Sequence, residues 1–138
     1  MTALEYIRDY EDYEDFVYDC SGSAYVSGGT TIPCSDENAH GEEDLSDAFA
    51  NSCNSFFSTI GFELKLNKFR QLCETFYFNR NLNIGMDASV SSFQLDESSG
   101  ISEIQETCIG QGKTMISPIH NLMIISSIAN GGVMMNPY

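Results

Sequence analysis

The sequence predicts a mainly α-helical fold carrying one small β-hairpin, and three observations predict it. Between Ser117 and Gly131 an apolar run is bounded by a Ser N-cap, a Pro at the first helical position and a Gly after the last turn. Apolar residues recur at three- and four-residue spacing through 45–49, 56–64 and 66–76, the period of a helix. Only within about 16–34 does the pattern shorten to strand-like triplets separated by Gly and Ser turns. A chain of 138 residues fits one domain, able to bury roughly two-thirds of the surface exposed when unfolded. Residues 1–138 are therefore read as one unit, with a hairpin excursion at about 16–34 and a helical core at about 44–78 and 99–131.

Taken in order, Thr2 to Tyr10 reads as the end of a helix with Ala3, Tyr6, Ile7 and Tyr10 on one face. It starts with no cap and no preceding turn, so its true start is expected to lie outside the chain. Phe16-Val17-Tyr18 and Ala24-Tyr25-Val26 are strand candidates joined by Asp19-Cys20-Ser21-Gly22-Ser23. Ser27-Gly28-Gly29-Thr30 supplies a tight turn before Thr31-Ile32. Residues 35–43 read as polar loop. Asp44 then caps a helix, with Asp47 in its first turn favouring the helix dipole and Leu45, Ala48 and Phe49 apolar.

After the turn Ser52-Cys53-Asn54, a second helix carries Phe56, Phe57, Ile60 and Leu64. Asn67 is the expected cap of a third, with Phe69, Leu72, Cys73 and Phe76 on one side. Residues 79–99 read as an irregular, Ser-rich loop. Ser99 or Gly100 precedes a short helix with Ile101, Ile104 and Cys108, which Gly110-Gln111-Gly112 breaks. The helix after Ser117 is apolar on most sides, which places it at the centre of a core. Val133 to Tyr138 reads as an extended segment.

Charge narrows the partners. Residues 1–47 hold thirteen acids and one base, a net of −12, whereas residues 48–138 carry seven acids and five bases, a net of −2. Such a surface repels nucleic acid and anionic membranes. The run Asp9-Tyr10-Glu11-Asp12-Tyr13-Glu14-Asp15 lacks the alternating ligands and terminal Glu of a calcium loop and reads as a solvated acidic surface. There is no basic-then-apolar leader and no apolar run of roughly 20 residues.

Five cysteines leave at least one unpaired within the chain. Cys20 and Cys34 bracket a turn-rich segment and could close a disulfide in an extracytoplasmic setting. Cys53, Cys73 and Cys108 read as buried thiols. The absence of Cys-x-x-Cys and the wide separation of His40 from His120 argue against zinc, so no metal and no cofactor is expected.

Gly110-Gln111-Gly112-Lys113-Thr114 is not a phosphate loop, because Thr107 stands where its first Gly belongs. Cys53 with His40 or His120 as a thiol nucleophile and base has no local support. Ala50-Asn51-Ser52-Cys53-Asn54-Ser55-Phe56-Phe57 combines polarity with apolar flanks. Taken alone it fits a capped helix junction better than a catalytic turn, and both readings stay open.

The order of several segments bears on that choice. His40-Gly41 precedes Ser52-Cys53-Asn54-Ser55-Phe56-Phe57. Phe76-Tyr77-Phe78-Asn79, Ile109-Gly110-Gln111-Gly112 and Ser117-Pro118 follow, then Ala129-Asn130-Gly131-Gly132 and Pro137-Tyr138. This ensemble resembles the transpeptidase domain of the class B-type penicillin-binding proteins over nearly the whole chain. Cys20 and Cys34 before His-Gly look like a branch of that group.

The resemblance implies the helical subdomain of the β-lactamase/transpeptidase-like fold, excised from its α/β sheet. Its acyl-transfer site uses Ser-x-x-Lys, Ser-x-Asn and Lys-Thr/Ser-Gly motifs. Only the second is present: the chain contains no Ser-x-x-Lys, and Lys113-Thr114 is followed by Met115. By the family pattern, Thr2-Ala3-Leu4 follow the nucleophile's Lys on one helix and the third motif lies beyond Tyr138.

Ser52 would then relay a proton between the missing lysines, and Asn54 would donate to the substrate's amide carbonyl. The implied partners are a peptidoglycan stem peptide ending in D-Ala-D-Ala, β-lactams, and the remainder of the transpeptidase domain. The implied place is the extracytoplasmic face of the bacterial membrane. The chain alone is expected to be inactive, having no nucleophile. Two rivals carry different expectations: a β-lactam sensor or serine β-lactamase of the same fold, and a binding-only module docking through the acidic N-terminal third.

Overall fold

The computed structural model describes residues 1–35 and 38–135. Its elements are helix α1 (Thr2–Asp9), strands β1 (Tyr18–Cys20), β2 (Ser23–Tyr25), β3 (Thr31–Pro33) and β4 (Gly41–Glu43), and helices α2 (Leu45–Ala50), α3 (Asn54–Ile60), α4 (Leu66–Thr75), α5 (Ile101–Cys108) and α6 (Pro118–Ala129). The mainly helical expectation holds. The strands form two separate antiparallel pairs, β1 with β4 and β2 with β3. Tyr18 lies opposite Glu43 and Cys20 opposite Gly41, while Ala24 lies opposite Ile32.

Two details of the hairpin reading are corrected. β1 does not join β2 but crosses to Gly41-Glu42-Glu43, inside what reads as polar loop. Three-residue strands are too short to show an alternation, and β4 has no apolar side chain to announce it. Its inward residue is a carboxylate, Glu43, almost wholly buried.

Helix α3 is the centre of the packing. It buries Ser55, Phe56, Ser58 and Ile60. The Phe56 ring meets Phe16, Tyr18 and Phe57 edge-on at centroid distances of 5.5, 6.1 and 5.5 Å, the geometry favoured by the ring quadrupole. Gly61, which follows, is required small: a Cβ there would stand 2.6 Å from Cys108 Sγ on α5.

The last helix is not central. α6 has Ser117 as N-cap, its Oγ accepting from His120 N at 3.4 Å, and Pro118 leads it as expected. Yet it buries only His120, Met123 and Ser127, while Leu122, Ile125 and Ile128 are 58, 56 and 72 % exposed. A helix apolar on most sides needs neighbours on most sides. The described residues supply one. Phe49, expected on an inward face, is likewise exposed.

Helix α1 turns Thr2, Glu5 and Tyr6 inward, a face rotated from the apolar one that spacing suggests, and leaves Ile7 exposed. Charge explains the rotation. Arg8 donates to the buried Glu5 at 2.6 Å and to the Lys68 carbonyl at 3.2 Å, and Lys68 Nζ donates to Asp9 at 2.7 Å. The Lys68 hydrogen bond holds the Asp9 carboxyl below the usual range, while burial pushes Glu5 up. α4, reached by these links, begins at Leu66 after Lys65; the Asn67 side chain, the expected cap, accepts instead from its neighbour Lys68 N at 2.8 Å.

Two side-chain amides replace strand pairing where the chain is irregular. Asn79 accepts from Phe93 N at 2.9 Å and donates to Phe93 O at 3.0 Å, while its own N–H reaches Ser91 O. Gln105 on α5 accepts from Thr30 N at 3.0 Å and donates to Thr30 O and Ser58 Oγ, both at 3.1 Å. Ser92 bridges Met115, so the 79–99 segment is tied down at its middle. Val133 to Met135 are described without regular structure, and the expected extension through Asn136-Pro137-Tyr138 lies outside the described residues.

Candidate functional site

The turn between α2 and α3 is made by two helix ends in immediate succession. Asp44 Oδ1 accepts from Asp47 N at 2.8 Å and starts α2. Six residues later the helix stops: Ser52 N donates to Phe49 O at 3.3 Å and Cys53 N to Ala48 O at 2.9 Å. This is the reciprocal pair of a Schellman cap, and its left-handed position is Ser52, at φ 53°. Glycine normally fills that position; a serine there carries backbone strain. Cys53 is already the N-cap of α3, its Sγ accepting from Phe56 N at 3.4 Å.

Adjacent caps of this kind alternate the side chains. Ser52 is exposed, Cys53 fully buried, and Asn54 half-buried. Asn54 commits one amide hydrogen to the Pro33 carbonyl at 2.9 Å, which anchors it to β3 and leaves a second hydrogen on the same nitrogen. Ser52 and Asn54 line an open cleft of about 490 Å³, with Phe57, Gly110, Thr114, Met1 before α1 and its first residues Thr2 and Ala3. The structure thus brings the Ser-x-Asn turn, the start of α1 and the segment after α5 to one cavity. Gly110 serves as the left-handed cap of α5, and Lys113 pairs with Glu103 on the surface, consistent with no phosphate loop.

Beneath the turn lies a second cluster. Cys20 at the end of β1, Cys34 after β3, His40 before β4 and Cys53 converge so that their ligand atoms all lie within 4.8 Å of one another. Cys20 and Cys34, for which the sequence leaves a disulfide possible, are free thiols 3.7 Å apart, and Cys34 Sγ is as near to Cys53 Sγ, at 3.8 Å. His40 Nδ1 lies 3.5 Å from Cys20 Sγ. Burial alone would raise the Cys20 thiol, but backbone hydrogen bonds from His40 and Gly22 and the Cys53 and Cys34 thiols bring it down to about 6. Burial, then the neighbouring Glu43, pushes Cys53 up instead. Glu43 accepts from Asn51 Nδ2 at 2.7 Å, and its other oxygen stands 3.6 Å from His40 Nδ1 with no hydrogen-bond partner among the described residues.

Neither the lack of Cys-x-x-Cys nor the separation of His40 from His120 reveals this cluster in the sequence, because the fold gathers three cysteines and one histidine from four separate segments. Cys53, the middle residue of Ser-x-Asn, was the available clue. The remaining candidates stay apart. Cys73 and Cys108 are buried thiols pushed up to about 12. His120 is packed edge-on against Phe78, its Nε2 donating to the Phe76 carbonyl.

A family model described as penicillin binding protein transpeptidase domain matches residues 13–138. Peptidoglycan D,D-transpeptidase PbpA of Mycobacterium tuberculosis is 30 % identical over 113 residues, which is 77 % of this chain and 21 % of that protein. Stage V sporulation protein D of Bacillus subtilis is 29 % identical over 125 residues, 90 % of this chain and 19 % of that protein. The chain therefore spans about a fifth of the length of these curated relatives. Among solved structures, penicillin-binding protein A of M. tuberculosis as an imipenem acyl-enzyme complex superposes with a TM-score of 0.84 at 21 % identity, covering 99 % of this chain and 32 % of that one. That likeness shows the shared fold.

Proposed function

The chain belongs to the penicillin-binding protein transpeptidase domain family, and from that premise we propose that it forms the Ser-x-Asn side of the acyl-transfer site of a bacterial serine D,D-transpeptidase. The observation that carries the proposal is the cleft shared by Ser52, Asn54 and the first turn of α1. A nucleophilic serine and its lysine one to two turns ahead of Thr2 would enter that cleft from the helix end, where the family pattern puts them.

Acyl transfer requires a proton to leave the serine as it attacks and another to reach the departing D-alanine amine. Ser52 carries a hydroxyl that both donates and accepts, on a backbone pinned by two caps, so it can pass such a proton between two amines. Asn54, held by Pro33, presents its remaining N–H to the substrate's amide carbonyl and orients it. Neither group is a nucleophile. The substrate is a stem peptide ending in D-Ala-D-Ala, and a β-lactam, which mimics that end, is the inhibitor.

The site faces outward from the bacterial membrane, where peptidoglycan is made. The exposed Leu122, Ile125 and Ile128 of α6 support a further layer of the domain against this helix. No helix among the described residues is long and apolar enough to cross a membrane.

The test uses the full-length protein that contains this segment. Ser52→Ala is expected to lower the rate of acylation by labelled penicillin on the order of 10²–10⁴-fold, with thermal unfolding unchanged. Acylation at the wild-type rate would refute the relay role.

A further inference from the structure

We propose that Glu43 and Asn51 form a brace across helix α2 that fixes the pitch of the Ser-x-Asn turn, so that both act as positioning residues for Ser52. Asn51 Nδ2 donates to Glu43 Oε1 at 2.7 Å. The two residues bracket the helix: Glu43 ends β4 and stands before the N-cap Asp44, while Asn51 is the C-cap. One hydrogen bond therefore ties the two ends of α2 together. Glu43 is itself set in place by β4, where it lies opposite Tyr18 of β1.

The turn needs such a brace. A helix of six residues does not hold itself, since nucleation is costly and each end leaves four backbone groups unpaired. Its last turn must nonetheless impose the left-handed conformation on Ser52, φ 53°, through a cap in which Ser52 N reaches Phe49 O at 3.3 Å. Fraying of that turn releases the strain and lets Ser52 relax. The Asn51 amide opposes fraying because Glu43 is 1 % exposed, and its other oxygen is buried without a hydrogen-bond partner among the described residues. Parting the pair leaves a buried carboxyl group without its donor, which costs more than an ordinary hydrogen bond gains. Glu43 also stands beside the Cys53 thiol, so one side chain reaches the residues on both sides of Ser52.

The brace acts on Ser52 more than on Asn54. Asn54 is anchored separately, its amide donating to the Pro33 carbonyl at 2.9 Å. The aim of the Ser52 hydroxyl depends instead on the backbone of the turn. Loss of the brace is therefore expected in the rate constant for acylation, which needs that hydroxyl within reach of two amines. Affinity for the noncovalent complex, which Asn54 supports, is expected to hold. This functional part rests on the Ser-x-Asn reading; the hydrogen bond joining the ends of α2 does not.

The experiment measures acylation of the full-length protein by labelled penicillin, resolving affinity of the noncovalent complex from the acylation rate constant. Asn51→Ala removes the donor and is expected to lower the rate constant about 10–100-fold, the scale of a displacement near 1 Å, with affinity unchanged. Exchanging the partners, Glu43→Gln with Asn51→Asp, restores one amide donor and one carboxylate acceptor. The exchanged protein is expected to acylate faster than Asn51→Ala. A wild-type rate constant in Asn51→Ala, a loss confined to affinity, or an exchanged protein no faster than Asn51→Ala overturns the proposal. In the wild-type 138-residue chain, NMR is expected to show the Asn51 side-chain amide protected from hydrogen exchange. Exchange at the rate of a free amide overturns the brace, even where Asn51→Ala does not fold. The two readouts fail separately. Protection alongside a Ser52→Ala protein that acylates normally refutes the relay and leaves the brace, whereas free exchange alongside a slowed Ser52→Ala refutes the brace and leaves the relay.

Discussion

Ser52 holds a backbone conformation suited to glycine while keeping a hydroxyl in the cleft. A left-handed residue with a Cβ costs about 1–2 kcal/mol, and strain of this kind persists only where surrounding structure imposes it. The caps at Phe49 and Ala48 impose it. Ser52→Gly is therefore expected to keep or raise stability by up to about 1 kcal/mol, seen as an unchanged or higher melting temperature, while removing the hydroxyl. A clear loss of stability would mean that the side chain supports the fold. The clue was legible: a serine beside Asn51 and Asn54, between two apolar helices, departs from both helix and loop composition. Its partners were not. Asn79 and Gln105 act by pairing with backbone 14 and 75 residues away, and nothing in local spacing points to Phe93 or Thr30.

At the scale of elements, the helices were readable because caps and 3.6-residue periodicity are local. Asp44, Ser117-Pro118 and Gly131 mark their ends as read, although Lys65 displaced Asn67 as the start of α4. The strands were half readable. The turn at Gly28-Gly29 is real, but β4 was invisible, because its inward residue is a carboxylate held by Asn51 and beside His40. The hairpin's tip depends on one close approach. A Cβ at Gly29 would stand 2.0 Å from Gln105 Oε1 and 2.9 Å from Ile101 Cγ2. Gly29→Ala must expel the Gln105 amide from Thr30 and is expected to cost about 1–3 kcal/mol, measured by chemical denaturation. A change below about 0.5 kcal/mol would show that the amide pairing contributes little. This element also decides the cysteine chemistry, since β1 and β3 deliver Cys20 and Cys34 to a third thiol that chain order hides.

For the whole molecule, burial and exposure together describe a unit organised around α3. The N-terminal end of α1 lies at its cleft, and one apolar face of α6 is bare. The resemblance carried in the sequence anticipated the family and the fold, and the family match over 13–138 bears both out. What it did not anticipate was that the most apolar helix would lie at the edge of the core with only one face covered, since periodicity reports the apolar faces of a helix and not what covers them. The proposed roles of Ser52 and Asn54 as relay and orienting groups leave this chain without a nucleophile. Intact-mass spectrometry of the 138-residue protein after incubation with excess penicillin tests this directly. The account predicts an unmodified mass for this chain and a single β-lactam adduct on the full-length protein; a stoichiometric adduct on the 138-residue chain would contradict it.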